Sequence, residues 1–226
     1  MSINRSDVML DERSGLFIRR GTGDLSIIKE QQRDYALLDV RPGDVVLDVG
    51  AHIGAFANWV YKSCNSVQRI VSVEPSPSNI ALLERNTKGL PVQIISAAVV
   101  GKLVDLSTTV LLYESKTVWG TCDHSILPIR GRLSISVAAV SFKYLLEEFC
   151  PSVCKIDIEG GEYDLIDDLL QQTCLRSFAI EFHNKKRIHR QLVEQAIQAF
   201  AEKFVVLRVP RMSPKWRNTV GVYVCK

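Results

Sequence analysis

Long apolar runs are missing from this sequence. In 226 residues no uncharged stretch reaches the roughly 18 apolar residues that a membrane-spanning helix needs. The longest candidates lie near Leu90 to Gly101 and Leu133 to Phe142, so no membrane partner is expected. A secretory signal is missing too: Met1-Ser2-Ile3-Asn4-Arg5-Ser6-Asp7 offers no basic stretch followed by an apolar core and a small-residue cleavage site. The expected address is cytoplasmic, which sets aside the single glycosylation sequon Asn4-Arg5-Ser6. None of the six cysteines (Cys64, Cys122, Cys150, Cys154, Cys174, Cys225) falls in a C-x-x-C spacing. Neither a zinc site nor a disulfide framework is signalled, and most of the cysteines read as buried thiols. No repeat and no Pro/Gly/Ser-rich linker divides the chain, so one domain over residues 1–226 is expected, with 1–40 as an N-terminal extension into the first strand. With 46% apolar and 23% charged residues, disorder and collagen-like structure are excluded.

The net charge of +3 is unevenly spread. From His183 to Arg217 nine Lys and Arg (185, 186, 187, 190, 203, 208, 211, 215 and 217) stand against Glu194 and Glu202, leaving the remainder of the chain acidic. Such asymmetry reads either as a solvated basic face or as a contact for a phosphate-bearing partner, and no nucleic-acid motif accompanies it.

Short apolar runs alternate with amphipathic ones. Asp44 to Val49, Arg69 to Glu74, Val92 to Ala97, Val153 to Ile158 and Phe178 to Phe182 read as buried strands, being short, rich in Val and Ile, and bounded by polar or turn residues. Helices are expected over Phe56 to Lys62, Pro77 to Thr87 with Ser76 as N-cap, Phe142 to Phe149 with Ser141 as N-cap, Tyr163 to Gln172, and Arg187 to Lys203. Alternation of this kind predicts an α/β fold: a doubly wound, mostly parallel sheet with right-handed crossovers. Two departures stand out. Residues 104–139 read as an inserted β-hairpin, Leu106 to Tyr113 and Leu133 to Ala139, around a polar stretch containing Trp119, Cys122 and His124. Phe204 to Val209 and Val220 to Cys225 are joined by too few residues for a crossover helix and are expected to pair as a C-terminal antiparallel hairpin. A parallel sheet ending in such a hairpin is typical of class I methyltransferases rather than nicotinamide-binding domains.

Chemistry concentrates where the strands end. Val45-Val46-Leu47-Asp48-Val49-Gly50-Ala51-His52-Ile53-Gly54 is a buried strand running into a glycine turn at the carboxyl edge, where open α/β sheets bind ligands. His52 stands where the second glycine of the dinucleotide fingerprint G-x-G-x-x-G belongs, so a pyrophosphate is disfavoured. S-adenosylmethionine has no phosphate. Asp48 can meet its ammonium, directly or through water, while Gly50, His52 and Gly54 leave room for its amino-acid tail. Glu74 ends the second strand in Val71-Ser72-Val73-Glu74-Pro75, where an acid accepts hydrogen bonds from ribose hydroxyls. That position indicates adenosine without saying which cofactor. After the third strand, Ala97 and Ala98 are small enough to admit an adenine beside the backbone, or are simply core.

A third group is Lys155-Ile156-Asp157-Ile158-Glu159-Gly160-Gly161-Glu162, in which alternation places Asp157 and Glu159 on one side of a strand if the pleat persists. Glu162 reads as a dipole-favoured residue at a helix start. The last parallel strand ends in Glu181-Phe182-His183. His183 is the candidate base by residue type, with Asp157 second; Glu159, Glu181 and His124 are candidate acceptor-binding residues. Asp157, Glu159, Glu181 and His183 have the donor types of an oxygen-rich metal site, but no ligand spacing enforces one, and no metal is expected.

The strings at 46–54, Val73-Glu74-Pro75 and Lys155 to Glu162 resemble the FkbM-type family of S-adenosylmethionine-dependent methyltransferases, over most of the chain from Gly21-Thr22-Gly23-Asp24 to Glu181-Phe182-His183. The resemblance implies a class I methyltransferase fold and methyl transfer, commonly to a hydroxyl of a sugar or polyketide-like small molecule. It implies Asp48, Gly50 and Glu74 as cofactor-binding residues, with Asp157 near the methyl group. Gly161 departs from the family, which often has Ala there. The expectation is an O-methyltransferase whose partner is a small hydroxyl-bearing molecule. A ribose methyltransferase using the basic segment on nucleic acid, and a non-catalytic methyltransferase-like binding module, stand as alternatives.

Overall fold

The computed structural model describes residues 8–101, 108–115, 121, 123–183, 189–209 and 218–226. The sequon at 4–6, Trp119, Cys122, Pro210, Pro214 and six of the nine basic residues of the 183–217 segment lie outside them.

Seven strands form one sheet. The five expected from the sequence are β3 (Val45–Val49), β4 (Arg69–Val73), β5 (Val92–Ile95), β9 (Val153–Ile156) and β10 (Ser177–His183). They lie parallel in the order β10-β9-β3-β4-β5. The hairpin β11 (Phe204–Arg208) and β12 (Asn218–Cys225) completes the sheet, with β12 antiparallel to both β10 and β11. Chain order turns outward in both directions from the β3/β9 pair, so a crevice opens there at the carboxyl edge.

Period-2 alternation sends successive side chains of one buried strand into two cores. Leu47 and Val49 join Phe142, Leu145, Phe178 and Phe200 on one face, while Val46 joins Phe56, Val60 and Ile70 on the other. Helices α2 (Ala55–Ser63), α3 (Pro77–Asn86), α4 (Phe142–Phe149), α5 (Ile166–Gln171) and α6 (His189–Lys203) follow the expected runs, with a 3-10 turn over Glu162–Leu165 ahead of α5. The Ser141 hydroxyl accepts the Tyr144 N–H and caps α4. Ser76 occupies the N-cap of α3 with no side-chain cap bond, its hydroxyl lying instead 3.0 Å from that of Ser78.

The inserted strands are β7 (Thr109–Glu114) and β8 (Leu133–Ser141), antiparallel as expected. They gain a third partner: the run through Ala98 leaves the main sheet, and β6 (Ala98–Val100) pairs parallel with β8. The N-terminal stretch holds more structure than an extension, namely the hairpin β1 (Val8–Asp11) and β2 (Leu16–Arg19) and helix α1 (Asp24–Asp34). No described helix is long and apolar enough to cross a membrane.

One expectation is corrected. Cys150, the left-handed C-cap of α4, and Cys174, just ahead of β10, form a disulfide, with Cα atoms 5.6 Å apart. Of the remaining described cysteines only Cys154 is buried. The sequence hid the pair because its proximity arises from the side-by-side packing of β9 and β10, not from a local spacing. Closing a 24-residue separation by disulfide contributes about 3 kcal/mol in the chain-entropy account. Reduction is therefore expected to lower the melting temperature by roughly 6–12 °C. Scanning calorimetry with and without a reductant checks this, and an unchanged melt would refute it.

Candidate active site

A cleft of about 370 Å³ opens at the carboxyl edge of the sheet. Each strand delivers part of its wall: the turn after β3 provides Gly50 and His52, the end of β4 provides Glu74 and Pro75, and the chain passing from β5 into β6 provides Ala97 and Ala98. From β9 come Asp157 and Glu159, from β10 Glu181 and His183, and from the inserted segment His124. Two of the residues singled out by sequence are not on the wall. Asp48 is fully buried beneath it, and Gly54 is the left-handed N-cap of α2, packed against Leu83 and Thr87.

Glu74 sits in a cage of donors. Its Oε2 accepts the His52 backbone N–H at 2.9 Å, and its Oε1 accepts the Ser76 N–H at 3.0 Å and Asn79 Nδ2 at 3.1 Å. Burial pushes its pKa up against these bonds. A carboxylate has about four acceptor directions, so roughly one remains for a ligand hydroxyl. Asn79 is held in turn by the buried Arg19, which also makes a bidentate pair with Asp24. Thr121 of the inserted segment donates to the same Asp24. Three chain segments distant in sequence thus brace the Glu74 end of the cleft.

The other end is acidic. The strand pleat stops at Ile156, and Glu159 adopts a left-handed φ of 58°, yet Asp157 and Glu159 still converge on His183. His183 Nε2 lies 3.3 Å from Glu159, 3.8 Å from Asp157 and 3.9 Å from Glu181. Its Nδ1 meets Glu162 at 2.7 Å. Glu162 is no exposed helix-start residue: it is fully buried and also accepts the N–H groups of Ile158 and Gly160. Burial disfavours charge on His183, but Glu162 and Glu159 outweigh it and hold the imidazole pKa well above its ordinary value. Asp157, Glu159 and His183 bring donors within 4.8 Å of one another, the one group of this size among the described residues with metal-ligand types.

Sequence reasoning missed four participants. Lys155 is buried on the wall and lies between Asp48 and Asp157. The Tyr35 hydroxyl donates to Glu181 at 3.2 Å and to Asp157 at 3.5 Å. Glu30 lines the cleft from α1, and Glu162 orients His183. Lys155 was visible in principle, since it shares the period-2 face of Asp157 and Glu159; Tyr35 carried no local signal.

A sequence profile of the methyltransferase FkbM domain matches residues 48–203, more than two thirds of the chain. The chain belongs to this family. Its fold is that of class I methyltransferases. Trm5b from Pyrococcus abyssi superposes with a TM-score of 0.53 at 12% identity, over 96% of this chain and 56% of that one. M. jannaschii TYW2 in complex with AdoMet gives 0.50 at 14%, over 97% and 87%. The methyltransferase FkbM of Methylobacillus flagellatus gives 0.49 at 14%, over 83% and 45%. This chain therefore spans only about half of the Trm5b and FkbM chains. No curated protein sequence matches it.

The cofactor of this FkbM-domain methyltransferase is S-adenosylmethionine, and the cleft suits it. Glu74 keeps acceptor capacity for a ribose, and Ala97 and Ala98 line the wall while being almost fully buried. Two buried acceptors on the wall, His52 Nδ1 and Gln31 Oε1, have no partner among the described residues.

Titration should show in stability. Burial, foremost, holds His52 and His124 down to about 4. The unfolded chain then binds protons that the folded methyltransferase refuses, so the contribution of these two histidines to stability rises with pH from about 4 to 6.5. Glu181 behaves oppositely: burial, then Asp157, push it to about 8, so the folded state keeps a proton that the unfolded chain releases above about 4.5. His183, with a raised folded pKa, likewise loses its contribution as pH climbs above 6.5. Below 6.5 the raised carboxylates Glu30, Asp48, Glu74 and Glu181 work against the two histidines, whereas above 6.5 Glu181 and His183 both act downward. The melting temperature is expected to decline between pH 6.5 and 8.5, with the decline shallower in Glu181→Gln. A melting temperature still rising between pH 6.5 and 8.5 would contradict these assignments.

Proposed function

We propose that this methyltransferase methylates a hydroxyl oxygen of a small molecule, such as a sugar or a polyketide-like natural product. The observation that carries the reading is the set of carboxylates (Glu30, Asp157, Glu159 and Glu181) that gathers with His183 at the end of the cleft away from Glu74. Carboxylates accept hydrogen bonds from several hydroxyls at once and repel a phosphodiester. The described part of the basic segment does not offer free cations to RNA. Arg208 donates to Asp34 and to the backbone of 33 and 34, Lys203 to the Leu170 carbonyl, and Arg190 pairs with Glu194.

When bound, S-adenosylmethionine supplies the electrophilic methyl group. The chain's task is to hold the acceptor oxygen in line with it and to take the hydroxyl proton. Glu162 fixes His183 through Nδ1, so Nε2 faces the carboxylates and any hydroxyl among them. The carboxylates around His183 favour its protonated form, so it becomes a base as pH rises, and Asp157 is the second residue placed to take the hydroxyl proton. Asp48 supports the cofactor turn from below.

The test offers S-adenosylmethionine carrying a labelled methyl group with a panel of glycosides, hydroxylated natural products and transfer RNA. Label is expected in a hydroxyl-bearing small molecule, with a rate that climbs above neutral pH and loses that climb in His183→Gln. Label in RNA would replace this reading with the ribose one. Tight cofactor binding without transfer to any acceptor would favour a non-catalytic module.

A further inference from the structure

A buried lysine is an uncommon wall for a cofactor cleft, because removing an ammonium from water is costly unless it is fully compensated. Lys155 is 2% exposed. Its Nζ donates to the Gly50 carbonyl at 2.6 Å and lies 3.4 Å from Asp48 Oδ1 and 3.6 Å from Asp157 Oδ2. The Tyr35 ring lies 5.8 Å away. Burial opposes its charge, but Asp48 and Asp157 more than offset this, and the lysine stays an ammonium. Asp48, itself fully buried, is matched to that charge.

We propose that Lys155 is a positioning residue for the cofactor: its ammonium ties the carbonyl of the Gly50 turn to the Asp48 and Asp157 carboxylates and so holds the two lips of the crevice in one geometry. The Asp157 N–H donates to the Val49 carbonyl at 3.0 Å, the paired register ends at Val49 and Ile156, and the two turns then meet with Gly50 packed against the Asp157 carbonyl. The ammonium is the group that reaches both the β3 turn and the carboxylate after β9. Asp48 then acts through Lys155 rather than by touching the ligand. Tyr35, whose hydroxyl donates to the same Asp157 oxygen that Lys155 approaches, completes the arrangement.

A structural role alone would alter stability and leave affinity unchanged in any variant that folds. Removing one charge of the fully buried pair strands the other, whereas Asp48→Asn combined with Lys155→Met removes both and leaves only the partly exposed Asp157, so that double variant is the informative one. Calorimetric titration with S-adenosylmethionine and S-adenosylhomocysteine, alongside a thermal melt, reads the two effects separately. The double variant is expected to melt within a few degrees of the native protein yet bind both ligands at least tenfold more weakly. Lys155→Arg is the second arm. It keeps the charge, but its planar fork cannot set one donor on the Gly50 carbonyl between both carboxylates, so its melt is expected to hold while affinity falls. Native affinity in either folded variant would overturn the proposal.

Discussion

Replacing Glu74 by alanine is expected to weaken S-adenosylmethionine binding by a hundredfold or more. A hydrogen bond to a charged group contributes about 1.5–3 kcal/mol, and the upper part of that range alone corresponds to roughly a hundredfold. A second effect acts in the same direction. Glu74 holds the His52 and Ser76 N–H groups and the Asn79 amide, so its loss frees three donors and loosens the turn that carries His52. Calorimetry measures the affinity, and circular dichroism shows whether the fold survives. A dissociation constant within threefold of the native value would remove Glu74 from the cofactor site.

Gly50→Ala should be worse, failing in the fold as well as in binding. A Cβ there would lie 1.9 Å from the Asp157 carbonyl oxygen, at a φ of 83° that side chains avoid. Backbone faces backbone at that point, so no side chain can rotate aside. The expected cost is about 4 kcal/mol or more, the range reached only by gross steric or charge conflicts, and a melting temperature lower by roughly 10 °C. Gly161→Ala is the control. Its φ is −88°, and a Cβ would meet the movable Cδ1 of Ile158 at 3.0 Å, so little change is expected. Equal melting temperatures for the two variants would show that the close approach of the β3 and β9 turns does not constrain the fold.

The strand and helix order was legible because each buried strand is a short Val/Ile run, and period alone separates it from the amphipathic stretches around it. The carboxyl-edge acids were legible for the same reason: a strand's last residue lies at its edge whatever the rest of the chain does. What could not be read were partners fixed only by packing. Glu162 follows two glycines and looks like a helix opening, yet the turn folds it inward beneath His183. Tyr35 and Glu30 lie in a stretch with no motif, and only the docking of α1 brings them to Asp157. The disulfide is of the same kind, made by two loops that neighbouring strands happen to present side by side. His183 shows the difference most clearly. Its place followed from the sequence, but its protonation depends on carboxylates contributed by another strand and turn.

The wall formed by α1 bears on where the working unit begins. The family match starts at residue 48, but Arg19, Asp24, Glu30 and Tyr35 precede it and reach respectively Asn79, Thr121, the cleft interior and Asp157. Similarity between sequences outlines the scaffold that carries the cofactor turn. Under the proposed reading, the enclosure that would hold the acceptor extends upstream of that outline, into a part of the chain that the family profile does not cover.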